Sequence, residues 1–278
     1  MNRQEFPSLR QGLVGAWCPS LGASGLSLID RSGRNNYGTL TNMAGQNNWR
    51  ASGSGVAINL DGTDDYCSIN DSDSLDIASS GNLTISAWVY RTANVAAYET
   101  LVTKRLSAGS TANYELSFNN TSTGNDKAFG FYSGSSFTVS TTLVPLLAWT
   151  HIGSVSNASG TTYYVNGRTA GTSATVAASA NAHPFKIGAV AGSPETQFLS
   201  AMLDDIRIYN RALTTAELRL LASRRGIGLT PLPDRAAGLP RRFSVNVGGT
   251  WREADSYVNV GGVWRLGQPS VNVAGTWL

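Results

Sequence analysis

The sequence predicts an all-β chain: an antiparallel two-sheet sandwich with one short C-terminal helix, followed by an extended linker and small β-hairpin repeats. Three observations carry this prediction. Apolar residues recur with a period of two along most of the chain, as they do in strands. Clusters of Gly, Asn, Asp and Ser separate these runs, and 30 Gly with only 14% charged residues among 278 fit short strands joined by many turns. Helix punctuation occurs convincingly at one place only. The 7 Trp, 10 Tyr and 8 Phe supply the core that a disordered chain lacks.

The clearest strand is Leu83–Val89, where Leu83, Ile85, Ala87 and Val89 alternate with Thr84, Ser86 and Trp88 and continue to Tyr90. Similar runs lie at 55–61, 66–70, 98–104, 113–118, 128–132, 148–155, 161–166, 184–189 and 198–209. Between extended runs, Asn166-Gly167 predicts a tight hairpin with a type I′ turn, because both central residues must take positive φ. Thr214-Thr215-Ala216-Glu217 reads as a capping box ahead of Leu218, Leu220 and Leu221, predicting a helix to about Ser223 with one face on the sheet. A dozen strands with one late helix argue against a parallel α/β fold.

From Arg224 the periodicity stops. Residues 224–243 hold three Pro and read as a linker or docking arm between a domain at 1–223 and repeats at 244–278. The repeats are Val245-Asn-Val-Gly-Gly-Thr-Trp251, Val258-Asn-Val-Gly-Gly-Val-Trp264 and Val271-Asn-Val-Ala-Gly-Thr-Trp277, spaced by 13 residues. Each suggests a miniature hairpin turning at its Gly pair. A single hairpin buries little and leaves two open edges. The three must therefore stack on one another, on the main domain or on another chain, with Trp251, Trp264 and Trp277 as anchors. Glycan stacking on these tryptophans is the other reading.

Net charge is +3, from 18 Arg and 3 Lys against 18 acidic residues, with no run of like charge beyond two. That pattern predicts no nucleic-acid stripe. Arg224–Arg225 and Arg241–Arg242 read as partner-docking charges. No apolar stretch has the length of a membrane span, and the N-terminus lacks the apolar core of a secretory signal. Cys18 and Cys67 are then expected to be reduced and buried, a bridge staying open if they adjoin in space.

Several segments together resemble the laminin-G-like, concanavalin A-like jelly-roll family. They are Leu60-Asp-Gly-Thr-Asp-Asp-Tyr66, Leu83-Thr-Ile-Ser-Ala-Trp-Val89, Ala148-Trp-Thr-His-Ile152, Tyr164-Val-Asn-Gly-Arg168 and Leu203-Asp-Asp-Ile-Arg-Ile-Tyr-Asn-Arg-Ala-Leu213, with an opening Leu13-Val-Gly-Ala-Trp17, Asp30-Arg-Ser-Gly33 and Gly38-Thr-Leu40. Their order over residues 12–222 carries the match. The resemblance implies two stacked antiparallel sheets closed by a strand at 199–209, and a non-catalytic role in binding carbohydrates or proteins. Some members hold a structural calcium near the rim. The family pattern maps it to Asp30 in the opening loop and Asp204 on the closing strand, the alternative being that both carboxylates only hydrogen-bond a buried turn. The 13-residue units resemble short repeats at the ends of tailed-bacteriophage structural proteins.

Catalytic chemistry finds no home in the pattern. His151 reads as a hydrogen-bonded structural residue within a strand, and His183 precedes Pro184 in a turn; neither has a partner at zinc-ligand spacing. Glycoside hydrolysis needs two carboxyl groups facing one sugar. The six Glu, at 5, 99, 115, 195, 217 and 253, include no Glu-x-Asp-x-x-Glu strand pattern. Asp64–Asp65 and Asp204–Asp205 are adjacent, and strand alternation would send their members to opposite faces. The expectation is a non-catalytic structural protein of a tailed-bacteriophage particle (capsid decoration, head fibre, or tail or fibre component). It would be made in the host cytoplasm and displayed on the virion surface. It would dock to other virion proteins or to itself, as a trimer, through Trp251, Trp264, Trp277, Arg241 and Arg242. The alternative is an adhesion module for host or environmental glycans. Its site would then lie in the polar loops 106–112, 119–126 and 190–197, flanked by Tyr114 and Phe198.

Overall fold

The computed structural model describes residues 6–43, 48–79, 81–107, 110–119, 126–134, 136–177, 179–190, 192 and 194–229, together with the backbone of six strand segments between 243 and 277. The chain forms two compact units, one of Glu5–Thr230 and one that takes in Pro231–Leu278.

The first unit contains β1 (Leu13–Trp17), β2 (Ser27–Leu28), β3 (Gly38–Thr41), β4 (Trp49–Ala51), β5 (Val56–Asp61), β6 (Tyr66–Ile69), β7 (Leu83–Arg91) and β8 (Tyr98–Lys104). It continues with β9 (Ala112–Asn119), β10 (Ala128–Gly134), β11 (Ser136–Val139), β12 (Thr150–Asn157), β13 (Gly160–Val165), β14 (Arg168–Ser173), β15 (Phe185–Ile187), β16 (Ser200–Tyr209) and helix α1 (Thr215–Leu221). Sheet I runs β14-β13-β12-β7-β16-β5-β4, with β1 also on β16; sheet II runs β11-β10-β9-β8-β15-β6-β3-β2. Every pairing between these strands is antiparallel, as the alternation predicts. Along one edge of β16, β5 pairs with residues 200–203 and β1 with residues 206–209.

The inner faces make one core. Leu83, Ile85, Ala87 and Val89 of sheet I meet Val102, Leu116, Phe131 and Ile187 of sheet II, all fully buried. Trp17 stacks on Phe185 with ring centroids 5.3 Å apart, and its Nε1–H donates to the Asn36 carbonyl. A second cluster lies on the outer face of sheet I, where Leu218 and Leu221 of α1 pack with Leu13, Tyr164 and Tyr209. The capping box is complete: Thr214 Oγ1 accepts from the Glu217 amide, and Glu217 Oε2 accepts from the Thr214 amide. The β13–β14 hairpin turns at Asn166 (φ 48°) and Gly167 (φ 72°), both left-handed as a type I′ turn demands.

Residues 224–229 depart from the linker expectation. Ile227 and Leu229 are buried in the second cluster, and this short strap is fastened by buried charge. Arg207 grips Asp205 through Nε–Oδ1 (2.7 Å) and Nη2–Oδ2 (2.9 Å), and donates to the Ile227 carbonyl, while the Gly226 amide donates to Asp205 Oδ2. The Pro/Gly composition hid this because the strap lacks periodicity and is held by polar groups distant in sequence.

In the second unit, β17 (Phe243–Val247) pairs with β18 (Thr250–Ala254), β19 (Tyr257–Val260) with β20 (Val263–Leu266), and β21 (Asn272–Val273) with β22 (Thr276–Trp277). The register repeats: Asn246 opposes Trp251, Asn259 opposes Trp264 and Asn272 opposes Trp277. Arg241 and Arg242 lie outside the described residues, as do the side chains of Trp251, Trp264 and Trp277. Among the described residues, no helix is long and apolar enough to cross a membrane.

Candidate functional site on the outer face of sheet II

Strand alternation turns Val102, Leu116, Phe131 and Ile187 into the core, so their neighbours Thr103, Glu115, Tyr132 and Lys186 point outward. Register sets these four side by side across adjacent strands: Lys186 opposes Thr103, Thr103 opposes Glu115, and Glu115 opposes Tyr132. Glu115 is the hub. Its Oε1 accepts from Ser117 (2.5 Å) and its Oε2 from Thr103 (3.0 Å), while Arg105 Nε lies 2.9 Å from Oε2. Burial pushes the Glu115 carboxyl above its ordinary pKa, and Arg105, Ser117 and Thr103 hold the shift back.

Above this buried floor stand the half-buried Tyr66, Tyr132, Glu195 and Gln197, with Arg105 and Lys186 buried beside them. The Arg105 guanidinium lies 4.7 Å from the centre of the Tyr132 ring, and Lys186 Nζ lies 4.4 Å from that of Tyr66. Lys186 also pairs with Glu195 Oε1 at 2.5 Å, and this hydrogen bond holds the Glu195 carboxyl below the usual range. Gln197, at a left-handed φ of 56°, presents Oε1 to Thr100 Oγ1. Tyr132 on β10 and Tyr66 on β6 are four strand intervals apart in sheet II, about 19 Å at the usual strand spacing. The result is a face with a tyrosine at either side and amide, carboxylate and hydroxyl groups between. Of these, the partly exposed Tyr66, Tyr132, Glu195 and Gln197 can meet a sugar ring and its hydroxyls, above the buried Thr103 and Glu115. Both Glu115 oxygens are already engaged, which suits a scaffold for Arg105 better than a nucleophile or proton donor.

The sequence-predicted site residues fall elsewhere. Tyr114 faces the core, fully buried, with its hydroxyl donating to the Leu75 carbonyl; it cannot flank a loop site because alternation on β9 sends Glu115 outward instead. Phe198 is half-buried. Parts of the loops 106–112, 119–126 and 190–197 lie outside the described residues. Glu115, Arg105 and Lys186 were missed because their meeting depends on sheet register, which periodicity alone does not give.

Asp30 and Asp204 share no partner. Asp30 is encircled by donors: Ala16 and Ser32 amides on Oδ1, the Asn36 amide and Ser32 hydroxyl on Oδ2. Asp204 Oδ1 accepts from the Ser20 and Asp205 amides, and Arg225 Nη1 stands 3.7 Å from its Oδ2. Calcium requires six to eight oxygens turned toward it. Each of these carboxylates instead faces N–H, O–H or guanidinium groups, so the residues do not fit that ion.

Both adjacent Asp pairs also depart from expectation. Between Asp204, opposite Trp88, and Arg207, opposite Ser86, β16 carries one residue more than β7. This bulge, with Asp205 at φ 48°, keeps both carboxylates on the outer side with Arg207 and Arg225. Asp64 and Asp65 lie in the turn after β5, where a carboxylate oxygen from each comes within 4.8 Å of the other and of one from Asp61. Burial, with added repulsion from Asp61 and Asp64, raises Asp65 to about 6.

His151 is fully buried on β12, its Nε2 2.8 Å from Ser86 Oγ, and burial lowers its pKa to about 3, leaving a neutral ring. Cys18 and Cys67 are free, buried thiols, Cys18 in the outer cluster and Cys67 in the inter-sheet core.

Solved structures share this architecture at low identity. Domain 4 of AbnA, a GH43 extracellular arabinanase from Geobacillus stearothermophilus solved in complex with arabinotriose, is 20% identical with a TM-score of 0.57, covering 76% of this chain and 98% of that domain. The binding domain of Paraclostridial Mosquitocidal Protein 1 is 17% identical (TM-score 0.59), covering 77% of this chain and 52% of that one. Trypanosoma rangeli sialidase is 19% identical (TM-score 0.53), and the match spans 76% of this chain and 32% of the sialidase. These likenesses describe the fold. No curated protein sequence matches the chain. The laminin-G family model described as the concanavalin A-like lectin/glucanases superfamily matches residues 61–219, more than half of the chain. Sheets, helix and matched span agree, and the protein belongs to the concanavalin A-like lectin/glucanases superfamily.

Proposed function

We propose that the sandwich is a non-catalytic glycan-recognition module whose ligand face is the outer side of sheet II. A single observation carries this reading: Tyr66 and Tyr132, each with a buried cation against its ring, bracket the half-buried Glu195 and Gln197 above a floor of Thr103 and Glu115. A cation against one ring face steadies each tyrosine, and both side chains stay partly exposed, an arrangement suited to stacking on a sugar. The arabinotriose bound to the AbnA domain makes arabino-oligosaccharides the first probe. We further propose that the module is displayed on a tailed-bacteriophage particle, as a decoration, head-fibre or tail component, through its three C-terminal repeats. Their identical strand register supports one shared docking geometry, used against virion proteins or further copies of this chain.

The test is a glycan array with the full chain, including arabino-oligosaccharides and sialylated glycans, repeated with Tyr66→Ala and Tyr132→Ala. Loss of a single stacking tyrosine is expected to weaken binding about 10-fold or more. Binding that survives both substitutions would move the ligand face elsewhere. An array without any hit would leave docking as the function. Mass spectrometry of purified phage particles tests the display role directly, and absence of the protein from them would refute it.

A further inference from the structure

We infer that four oxygens at one end of the sandwich form a cation site whose resident cation is the protein's own Lys104 ammonium, and that calcium is the ion this site accepts when the ammonium is removed. Lys104 ends β8, and its side chain is completely buried. Its Nζ lies 2.5 Å from Asp71 Oδ1, 2.9 Å from Asp76 Oδ1, 2.7 Å from the Asn181 carbonyl and 3.0 Å from the His183 carbonyl. Two carboxylates and two carbonyls converging on one point are the hard-oxygen donor set of a calcium site.

Groups other than Lys104 Nζ hold the cage open. Asn181 Nδ2 donates to the Lys104 carbonyl, and its Oδ1 accepts from the His183 amide, which orients the 181–183 turn. On the opposite side, Tyr114 donates to the Leu75 carbonyl and Asn113 brackets both backbone groups of Ile77, fixing the chain on either side of Asp76. Asp71 and Asp76 retain 35% and 25% side-chain exposure, so water can complete a larger coordination shell. Asp71 also lines an open cleft of about 360 Å³.

Charge gives the inference its direction. Two carboxylates surround a single positive charge, leaving the cage one positive charge short, and a divalent ion would neutralise it. Contraction from these N···O distances to Ca–O lengths of about 2.3–2.6 Å requires movements of only a few tenths of an ångström. Asp30 and Asp204 do not fit calcium, whereas in this cage the four oxygens are already gathered round a cation. The natural chain therefore needs no calcium at this end.

The experiment compares thermal unfolding of the full chain, Lys104→Ala, and Lys104→Ala/Asp71→Asn, each in chelator and in excess calcium. Lys104→Ala should melt well below the natural chain in chelator. Calcium at a hundredfold excess over its Kd should raise it by about 5–10 °C. The double variant should lose that rise, and the natural chain should show none that depends on Asp71, which Asp71→Asn alone checks. Terbium luminescence gives a second readout, with Tyr114 as the nearby sensitiser and emission expected from Lys104→Ala above the level of the natural chain. A folded Lys104→Ala that gains no more from calcium than the natural chain overturns the inference, as does terbium emission equal in all variants. If Lys104→Ala fails to fold in chelator, recovery of soluble protein only when calcium is present supports the site. No recovery in either condition refutes it.

Discussion

Asp65 carries its charge at a cost, because burial removes water from it and the neighbouring Asp61 and Asp64 repel it. Its carboxyl is raised to about 6, so the folded chain holds that proton more tightly than the unfolded chain does. The penalty is absent below the ordinary carboxylate range and develops as pH rises from about 4 toward the folded value. Asp65→Asn should therefore melt higher than the natural chain at neutral pH, with the difference closing in acid; calorimetry across pH checks this. At this scale the sequence was legible where partners are local. Asn166-Gly167 needs only its own two φ angles, and Thr214 with Glu217 needs only one helical turn. Glu115 was not legible, because Arg105 and Thr103 reach it only through the β8–β9 register. Asp205 was misjudged for a similar reason: a bulge changes the direction of a side chain without altering residue type.

Helix α1 has seven residues, too few to persist alone in water, so its ends and its buried face must hold it. Thr214→Ala removes the side-chain half of the capping box and should cost about 1 kcal/mol, read as a lower denaturant midpoint with an unchanged slope. The cap also responds to acid. Hydrogen bonding from Arg211 holds the Glu217 carboxyl below its usual pKa, so this contribution is present above the normal carboxylate range and fades as pH falls through the lower folded value. Strand existence was readable from alternation, whereas the order of strands within each sheet was not. Periodicity identifies β16 as a strand, but only the assembled fold places it between β7 on one side and β5 and β1 on the other.

The boundary between the two units falls at residue 230, later than the change in composition at Arg224. A chain ending at Thr230 should keep the melting temperature of the intact sandwich. One ending at Ser223 loses the burial of Ile227 and Leu229 and leaves Arg207 and Asp205 without their strap contacts. At about 1.5–3 kcal/mol for each apolar side chain, its midpoint should fall by on the order of 10 °C. Scanning calorimetry of the two truncations distinguishes the boundaries, and equal midpoints would restore the earlier one.

The pairing of β1 with β16 sets a condition on how the protein is made. Leu13 opposes Tyr209 and Trp17 opposes Ile206, so apart from a bridge to Asp30 the first strand of the sandwich pairs with the last. During synthesis the opening strand emerges from the ribosome early and waits while nearly two hundred residues follow, its apolar side chains seeking cover. Closure is a late, long-range event, which slows folding and lengthens exposure to aggregation. Nascent chains stalled before residue 206 would lack the β16 segment that pairs with β1, and they are the forms most in need of a chaperone.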